Sequence, residues 1–338
     1  MYGFEIYEGA RKPVAVERIV TSLRAGDESM LARTISLIER RAPERIALLK
    51  ALFPFAGDAR TVGITGAPGS GKSTLAGQVI RAYRQQGDTV AVIAVDPTSP
   101  YSGGATLGDR IRMQESAGDP GVFIRSMASR GQLGGLAPAT ADVATIFDAS
   151  GWDRILIETV GVGQDQLDIL SLADALIVLM VPGMSDDLQV AKAGIVEAAD
   201  IFVINKSDHN GVEQIERALR EGLSLNHRPD GWRPPIIQTV ATTGTGVPDL
   251  ISAVDAYFRF LQQHNLLHRK QVEKWQVRLV QMVREHLIER LLNPDFGALF
   301  RFYAAAVAER KTDPYTAVEH LLGSATEQHV IRRPLRGD

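Results

Sequence analysis

The spacing of hydrophobic positions along the chain changes character twice. Up to about residue 55 apolar side chains recur at helical spacing. In SMLARTISLIERR, Leu31, Ile35 and Ile38 share one face, and Asp27 stands where an N-cap belongs. Pro43 marks a second helical start ahead of ERIALLKALF. From Thr61 to about Phe260 the pattern becomes short β-rich runs at 61–65, 89–95, 122–125, 154–158, 175–181, 200–204 and 235–241, most of them separated by enough chain for a helix. Near-continuous apolar strands alternating with helices predict an α/β fold, a mainly parallel, doubly wound sheet covered on both faces. Beyond Gln262 the strands stop. A long amphipathic helical stretch follows, broken at Asn293-Pro294, and Asp313-Pro314 predicts one more helix start. The expected organisation is an N-terminal helical extension (1–55), an α/β core (56–260) and a C-terminal helical arm (261–338).

Composition narrows the function classes. Hydrophobic residues make up 45 % and charged residues 23 % of the 338, which fits a globular chain rather than a disordered one. A net charge of −3 provides no basic field for nucleic acid or an anionic membrane, so neither is expected as a partner. The absence of cysteine excludes disulfides, thiolate metal sites and cysteine nucleophiles. No run approaches the roughly 18 apolar residues of a membrane span, and the first residues lack a signal-peptide core. The expected location is the cytoplasm.

The first run ends in Gly66-Ala67-Pro68-Gly69-Ser70-Gly71-Lys72-Ser73-Thr74, which fits G-x-x-x-x-G-K-[ST]. Between a strand and a helix, such a loop folds tightly on its glycines and turns backbone N–H groups toward β- and γ-phosphate oxygens. Lys72 brings a point charge and Ser73 a hydroxyl for Mg²⁺. Asn205-Lys206-Ser207-Asp208 follows the run at 200–204. A carboxylate at Asp208 can accept from the ring N–H and the exocyclic amine of guanine, a donor pair that adenine lacks. With the phosphate loop upstream and the small-residue loop Ala241-Thr242 downstream, GTP is favoured over ATP.

Acidic residues at strand ends complete the candidate chemistry. Glu158 ends the run at 154–158 and Asp96 follows the run at 89–95; with Asp109 they are the candidate Mg²⁺ ligands. Gly161 can offer its N–H to the γ-phosphate. In Ras-like enzymes a water-orienting glutamine directly follows that glycine. Here Val162 occupies the position and Gln164 lies two residues further on, which predicts slow intrinsic hydrolysis.

Beyond these generic motifs, SGGATLGDRIRM, IRSMASRGQLGGLA, ETVGVGQ and GMSDDLQVAKAGIVEAADIFVINKSD together resemble the MeaB/ArgK group of G3E P-loop GTPases, which includes the methylmalonic aciduria type A protein. The resemblance covers the core from 61 to about 250 and extends more loosely into both arms. It implies a SIMIBI-type fold and GTP hydrolysis, with GTP or GDP as bound nucleotide. It further implies chaperoning of an adenosylcobalamin-dependent acyl-CoA mutase such as methylmalonyl-CoA mutase, and a homodimer formed through the C-terminal arm. It places Asp96, Asp109 and Glu158 around Mg²⁺, and has Asn205, Lys206 and Asp208 read guanine. Asp186 and Lys192 match a pair linked to partner-stimulated hydrolysis within a switch at 183–192. Ser185 stands where the group has glycine, a departure that puts the conformation of this switch in question. A nickel-insertion GTPase would need a His-rich tract or cysteine ligands, which are absent. A P-loop kinase or transport-associated NTPase remains the alternative.

Overall fold

The computed structural model describes residues 13–96, 118–128, 138–159, 169–183, 198–225, 228–291 and 294–330. Two compact units divide the chain between Gln271 and Val272.

The first unit opens with α1 (Pro13–Arg24), α2 (Glu28–Glu39) and α3 (Arg45–Leu52). Asp27 caps α2 by accepting the Met30 N–H at 2.9 Å, and Leu31, Ile35 and Ile38 are buried. Pro43 lies just ahead of α3, whose N-cap is Glu44. Seven strands follow: β1 (Arg60–Gly66), β2 (Val90–Asp96), β3 (Val122–Ala128), β4 (Arg154–Glu158), β5 (Ala175–Met180), β6 (Ile201–Asn205) and β7 (Ile236–Thr239). They form one sheet in the order β3-β2-β4-β1-β5-β6-β7, and every pairing is parallel.

Alternation along the strands feeds two cores. Val62, Ile64, Val92 and Leu156 pack with α4 (Lys72–Gln85) and α7 (Val247–Gln263). Ala91, Ile93, Ile155 and Ile157 pack on the other side with α2, α3, α5 (Pro138–Ala149) and α6 (Val212–Leu225). Helices thus cover both faces, as the unbroken apolar runs require. After β1 the chain moves to one side of the sheet and after β4 to the other, so a crevice opens at the carboxyl ends of β1, β4 and β5, where ligands bind in open α/β sheets.

At the opposite end of β6 lies a buried ion cluster. Asp200, 2 % exposed, accepts from the Leu176 N–H at 2.9 Å, from Arg228 at 3.0 Å and from Lys270 at 3.0 Å. Lys270 also reaches the Tyr257 hydroxyl at 2.6 Å. Burial pushes that phenol far above its ordinary range, and the nearby Asp200 charge adds to the shift.

The long helix expected beyond residue 262 is present and starts at Leu266, after a turn. Asn265 adopts a left-handed φ of 54° and separates α7 from α8 (Leu266–Leu291). Asparagine tolerates that region better than most residues, which explains a break without glycine or proline. The second unit comprises most of α8, then α9 (Pro294–Ala308) and α10 (Pro314–Val330). Asp313 caps α10 through the N–H groups of Tyr315 and Thr316, both at 2.9 Å. Among the described residues, no helix is long and apolar enough to cross a membrane.

Candidate functional site

β1 delivers the chain into the crevice through a loop only glycine could build. Gly66 has φ 152°, and a Cβ there would lie 2.4 Å from the Leu179 carbonyl oxygen of β5. Gly69 (φ 76°) and Gly71 (φ 93°) are also left-handed. Gly71 is the N-cap of α4 and brings no side chain to the cap, and the first turn holds no acidic residue. A helix N-terminus of this kind suits an anion, through its partial positive charge and its amides. Pro68 and Thr74 complete the loop and the first turn. Lys72, buried in the loop, donates to the Gly66 and Ala67 carbonyls, both at 3.0 Å. These acceptors are neutral, so a phosphate oxygen offers the ammonium a stronger partner. Ser70 is fully buried and its hydroxyl has no hydrogen-bond partner among the described residues. A polar atom orphaned inside a phosphate-type loop is what a ligand-bound state would satisfy.

Facing the start of α4, Glu158 ends β4. Its Oε1 accepts from the Ser73 hydroxyl at 2.6 Å, and both residues are buried. A hydroxyl and a carboxylate set together on rigid elements make a hard-oxygen pair of the kind Mg²⁺ takes. Asp96 is the last residue of β2; its side chain, like all of Asp109, Gly161, Gln164, Ser185, Asp186 and Lys192, lies outside the described residues. The arrangement of those candidates is therefore carried by the sequence alone.

The candidate base-reading motif leaves β6 and is wired into the phosphate loop. Asn205, 2 % exposed, donates through Nδ2 to the Ser70 carbonyl at 2.8 Å. Its Oδ1 accepts from the Thr239 hydroxyl and the Ala241 N–H, both at 3.1 Å. One amide therefore ties the loops after β1, β6 and β7. The fit is close, since a Cβ on Gly71 would stand 2.4 Å from Asn205 Nδ2. Lys206 sits at a left-handed φ of 55° and donates to the Gly69 carbonyl at 3.0 Å. That backbone strain is stored where two loops meet, a common property of binding sites. Asp208 is exposed, and Thr242 is exposed beside buried Ala241. The structure thus brings together the phosphate loop, Ser73, Glu158, Asn205, Lys206 and the loop at Ala241. In addition it joins Thr159 to Thr65 across β4 and β1, with hydroxyls 3.0 Å apart. Sequence reasoning did not single out that pair; the only signal was a threonine at the end of each strand.

A strand–glycine loop–helix at the centre of a parallel sheet, with the loop after β6 bonded to it, defines a P-loop nucleoside triphosphatase. The profile described as "Methylmalonyl Co-A mutase-associated GTPase MeaB" matches residues 31–295, and the chain belongs to that family. A relative from Pyrococcus horikoshii that carries a GTPase name is 43 % identical over 312 residues, covering 91 % of this chain and 97 % of that protein. GTPase ArgK of Escherichia coli is 33 % identical, covering 89 % and 94 % respectively. The mitochondrial methylmalonic aciduria type A homolog of Mus musculus is 30 % identical, covering 93 % and 80 %. A solved structure described as a LAO/AO transport system kinase superposes with a TM-score of 0.70 at 26 % identity, over 93 % of this chain and 98 % of that one. The chain is a GTPase of the G3E type.

Proposed function

We propose that this GTPase is a nucleotide-driven switch serving an adenosylcobalamin-dependent acyl-CoA mutase, methylmalonyl-CoA mutase in the first instance. GTP binding and hydrolysis would gate cofactor loading and protect or reactivate the mutase. The observation that carries the reading is the family match over 31–295, whose description names that mutase.

In the proposed cycle the triphosphate lies on the amides of 66–74, and Lys72 leaves the Gly66 and Ala67 carbonyls for the β- and γ-phosphate oxygens. Asp208 takes the two guanine donors. Asn205 and Lys206 hold the base loop against the phosphate loop, while Ala241 and Thr242 close the base side. Ser73 and Glu158 would hold Mg²⁺, with Asp96 and Asp109 completing its surroundings. When bound, the metal supplies neutralisation of the charge developing on the transferred phosphoryl group. Gly161 would sense the γ-phosphate and Gln164 would orient water. Asp186 and Lys192 would respond to the mutase, so the isolated protein turns over slowly.

The C-terminal arm, 261–338, would pair two copies. Leu279, Val280, Met282 and Val283 on α8 are exposed and apolar, surface that a second copy would cover. The working location is the cytoplasm. The test uses purified methylmalonyl-CoA mutase with the protein loaded with GDP or a non-hydrolysable GTP analogue. The expected result is a nucleotide-dependent complex on gel filtration and turnover raised by more than about tenfold; a group supplied in trans can add roughly 10³–10⁵. No complex in either state, with unchanged turnover, refutes the mutase assignment and leaves the GTPase intact.

A further inference from the structure

The carboxyl end of β4 is gripped from both sides of the sheet. β1 and β4 pair in register from Arg60 with Arg154 to Ile64 with Glu158. Ile64 belongs to the core under α4, so Glu158 faces α4 and meets Ser73 there at 2.6 Å. Successive side chains of a strand alternate, and the next residue, Thr159, meets Thr65 instead, hydroxyl to hydroxyl at 3.0 Å. Thr65 lies on the side where Gly63 packs so closely that a Cβ would stand 2.7 Å from Ile169 Cδ1. Thr65 and Thr159 are 0 % and 1 % exposed.

The strand register does not need this bond. Five residue pairs already fix it, and the Thr159 N–H also donates to the Ile64 carbonyl at 3.2 Å. Two buried hydroxyls facing each other could be exchanged for two apolar groups of the same shape at little cost to folding. What the bond adds is a fixed position for one backbone point. Thr65 directly precedes Gly66, the first residue of the phosphate loop. Thr159 directly follows Glu158 and begins the segment that leads to Gly161. The link thus joins the strand that leads into the phosphate loop to the residue next to the carboxylate.

We propose that the Thr65–Thr159 hydroxyl pair is a positioning device for GTP hydrolysis, holding Glu158 in place relative to the phosphate loop. This rests on the assignment of the phosphate loop and of Ser73 with Glu158 as the metal pair. Catalysis tolerates little play in such a group, because positioning within about half an ångström separates productive from unproductive geometry. Nucleotide binding by the loop amides makes no such demand on Glu158.

The experiment compares Thr159→Val, Thr65→Val, the double variant and Thr159→Ser with the unaltered full-length protein. It measures kcat at saturating GTP, the Mg²⁺ concentration giving half-maximal kcat, GDP affinity in EDTA, and Tm. Each valine variant is expected to lower kcat about tenfold, at the upper end of what one neutral buried hydrogen bond contributes. The half-maximal Mg²⁺ concentration should rise several-fold, while GDP affinity in EDTA stays within about twofold. Thr159→Ser should restore both kcat and the Mg²⁺ response. The double variant should be no slower than either single, since one bond is lost in all three. Wild-type kcat in Thr159→Val refutes the proposal, whatever happens to Tm. So does a loss of GDP affinity in EDTA that parallels kcat, because that marks a general distortion of the loop. Full turnover by a Lys72→Ala protein would overturn the site assignment itself, a failure distinct from the other two.

Discussion

Replacing Asn205 by alanine tests whether the two halves of the nucleotide site are coupled through one side chain. The amide makes three hydrogen bonds, to the Ser70 carbonyl, the Thr239 hydroxyl and the Ala241 N–H. At a net worth of about 1 kcal/mol each, their loss removes about 3 kcal/mol from the organised site. Without nucleotide the three loops can relax and recover part of this through water. Bound nucleotide forces them back into register, so most of the loss should appear in binding. About 3 kcal/mol corresponds to roughly a hundredfold weaker GDP affinity. Isothermal titration at constant Mg²⁺, with a Tm for the unliganded protein, separates the two contributions. A GDP affinity within about fivefold of wild type, with unchanged Tm, would show that the loops are organised without Asn205 and refute the reasoning.

The remaining predictions concern the frame around the site. Gly66→Ala forces a Cβ to within 2.4 Å of the Leu179 carbonyl at a φ of 152°, and left-handed strain plus overpacking of a central strand should destabilise the protein by about 2–5 kcal/mol, measurable by urea unfolding. Asp200→Ala strips the carboxylate that Arg228 and Lys270 share; Arg228 keeps Asp230, but Lys270 loses its carboxylate and the buried Leu176 N–H its acceptor, which should destabilise by about 2–3 kcal/mol; an unchanged urea midpoint would contradict the cluster's role. Burial alone would raise the Asp230 carboxyl, but the Arg228 guanidinium and the Trp232 N–H hold it below the ordinary carboxylate range. With the folded pKa below the unfolded one, its contribution is complete above the unfolded value of about 3.9 and disappears as the pH falls through the folded pKa. The Tm deficit of Asp230→Asn should therefore be largest near neutrality and close in acid; a deficit that widens in acid would refute the sign.

What the sequence made legible were features whose physics is local. Apolar runs such as ALIVLM read as buried parallel strands because both faces are covered, and Ala175–Met180 is β5. The phosphate loop was legible because backbone geometry demands glycine at fixed places, and Gly66, Gly69 and Gly71 all adopt positive φ. Asp27 and Asp313 announced helix starts because capping is a contact over two or three residues. Contacts between distant segments were not legible. Nothing in NKSD says that Asn205 turns its amide to Ser70, 135 positions earlier, rather than to a base. The Asp200–Arg228–Lys270 cluster joins residues spread over 70 positions. The turn at Asn265 falls close to the expected start of the helical arm, but its exact place was not legible, because a single residue in the left-handed region carries no periodic signal. Strand ends blurred for a related reason. The apolar run at 235–241 outlasts β7, which stops at Thr239 because Val240 pairs back to Thr245.

In the proposed site a guanine nucleotide sits on the 66–74 amides with its base held by Asp208. Titration of GDP, ADP and xanthosine diphosphate in the presence of Mg²⁺, against the wild-type protein and Asp208→Asn, tests it most directly. An amide at 208 offers one donor and one acceptor, which matches the ring N–H and the 2-oxo group of xanthine in place of guanine's two donors. The wild type should bind GDP and not ADP, and Asp208→Asn should lose GDP while gaining the xanthine nucleotide. ADP binding as tightly as GDP to the wild type, or a GDP affinity unmoved by Asp208→Asn, would contradict it.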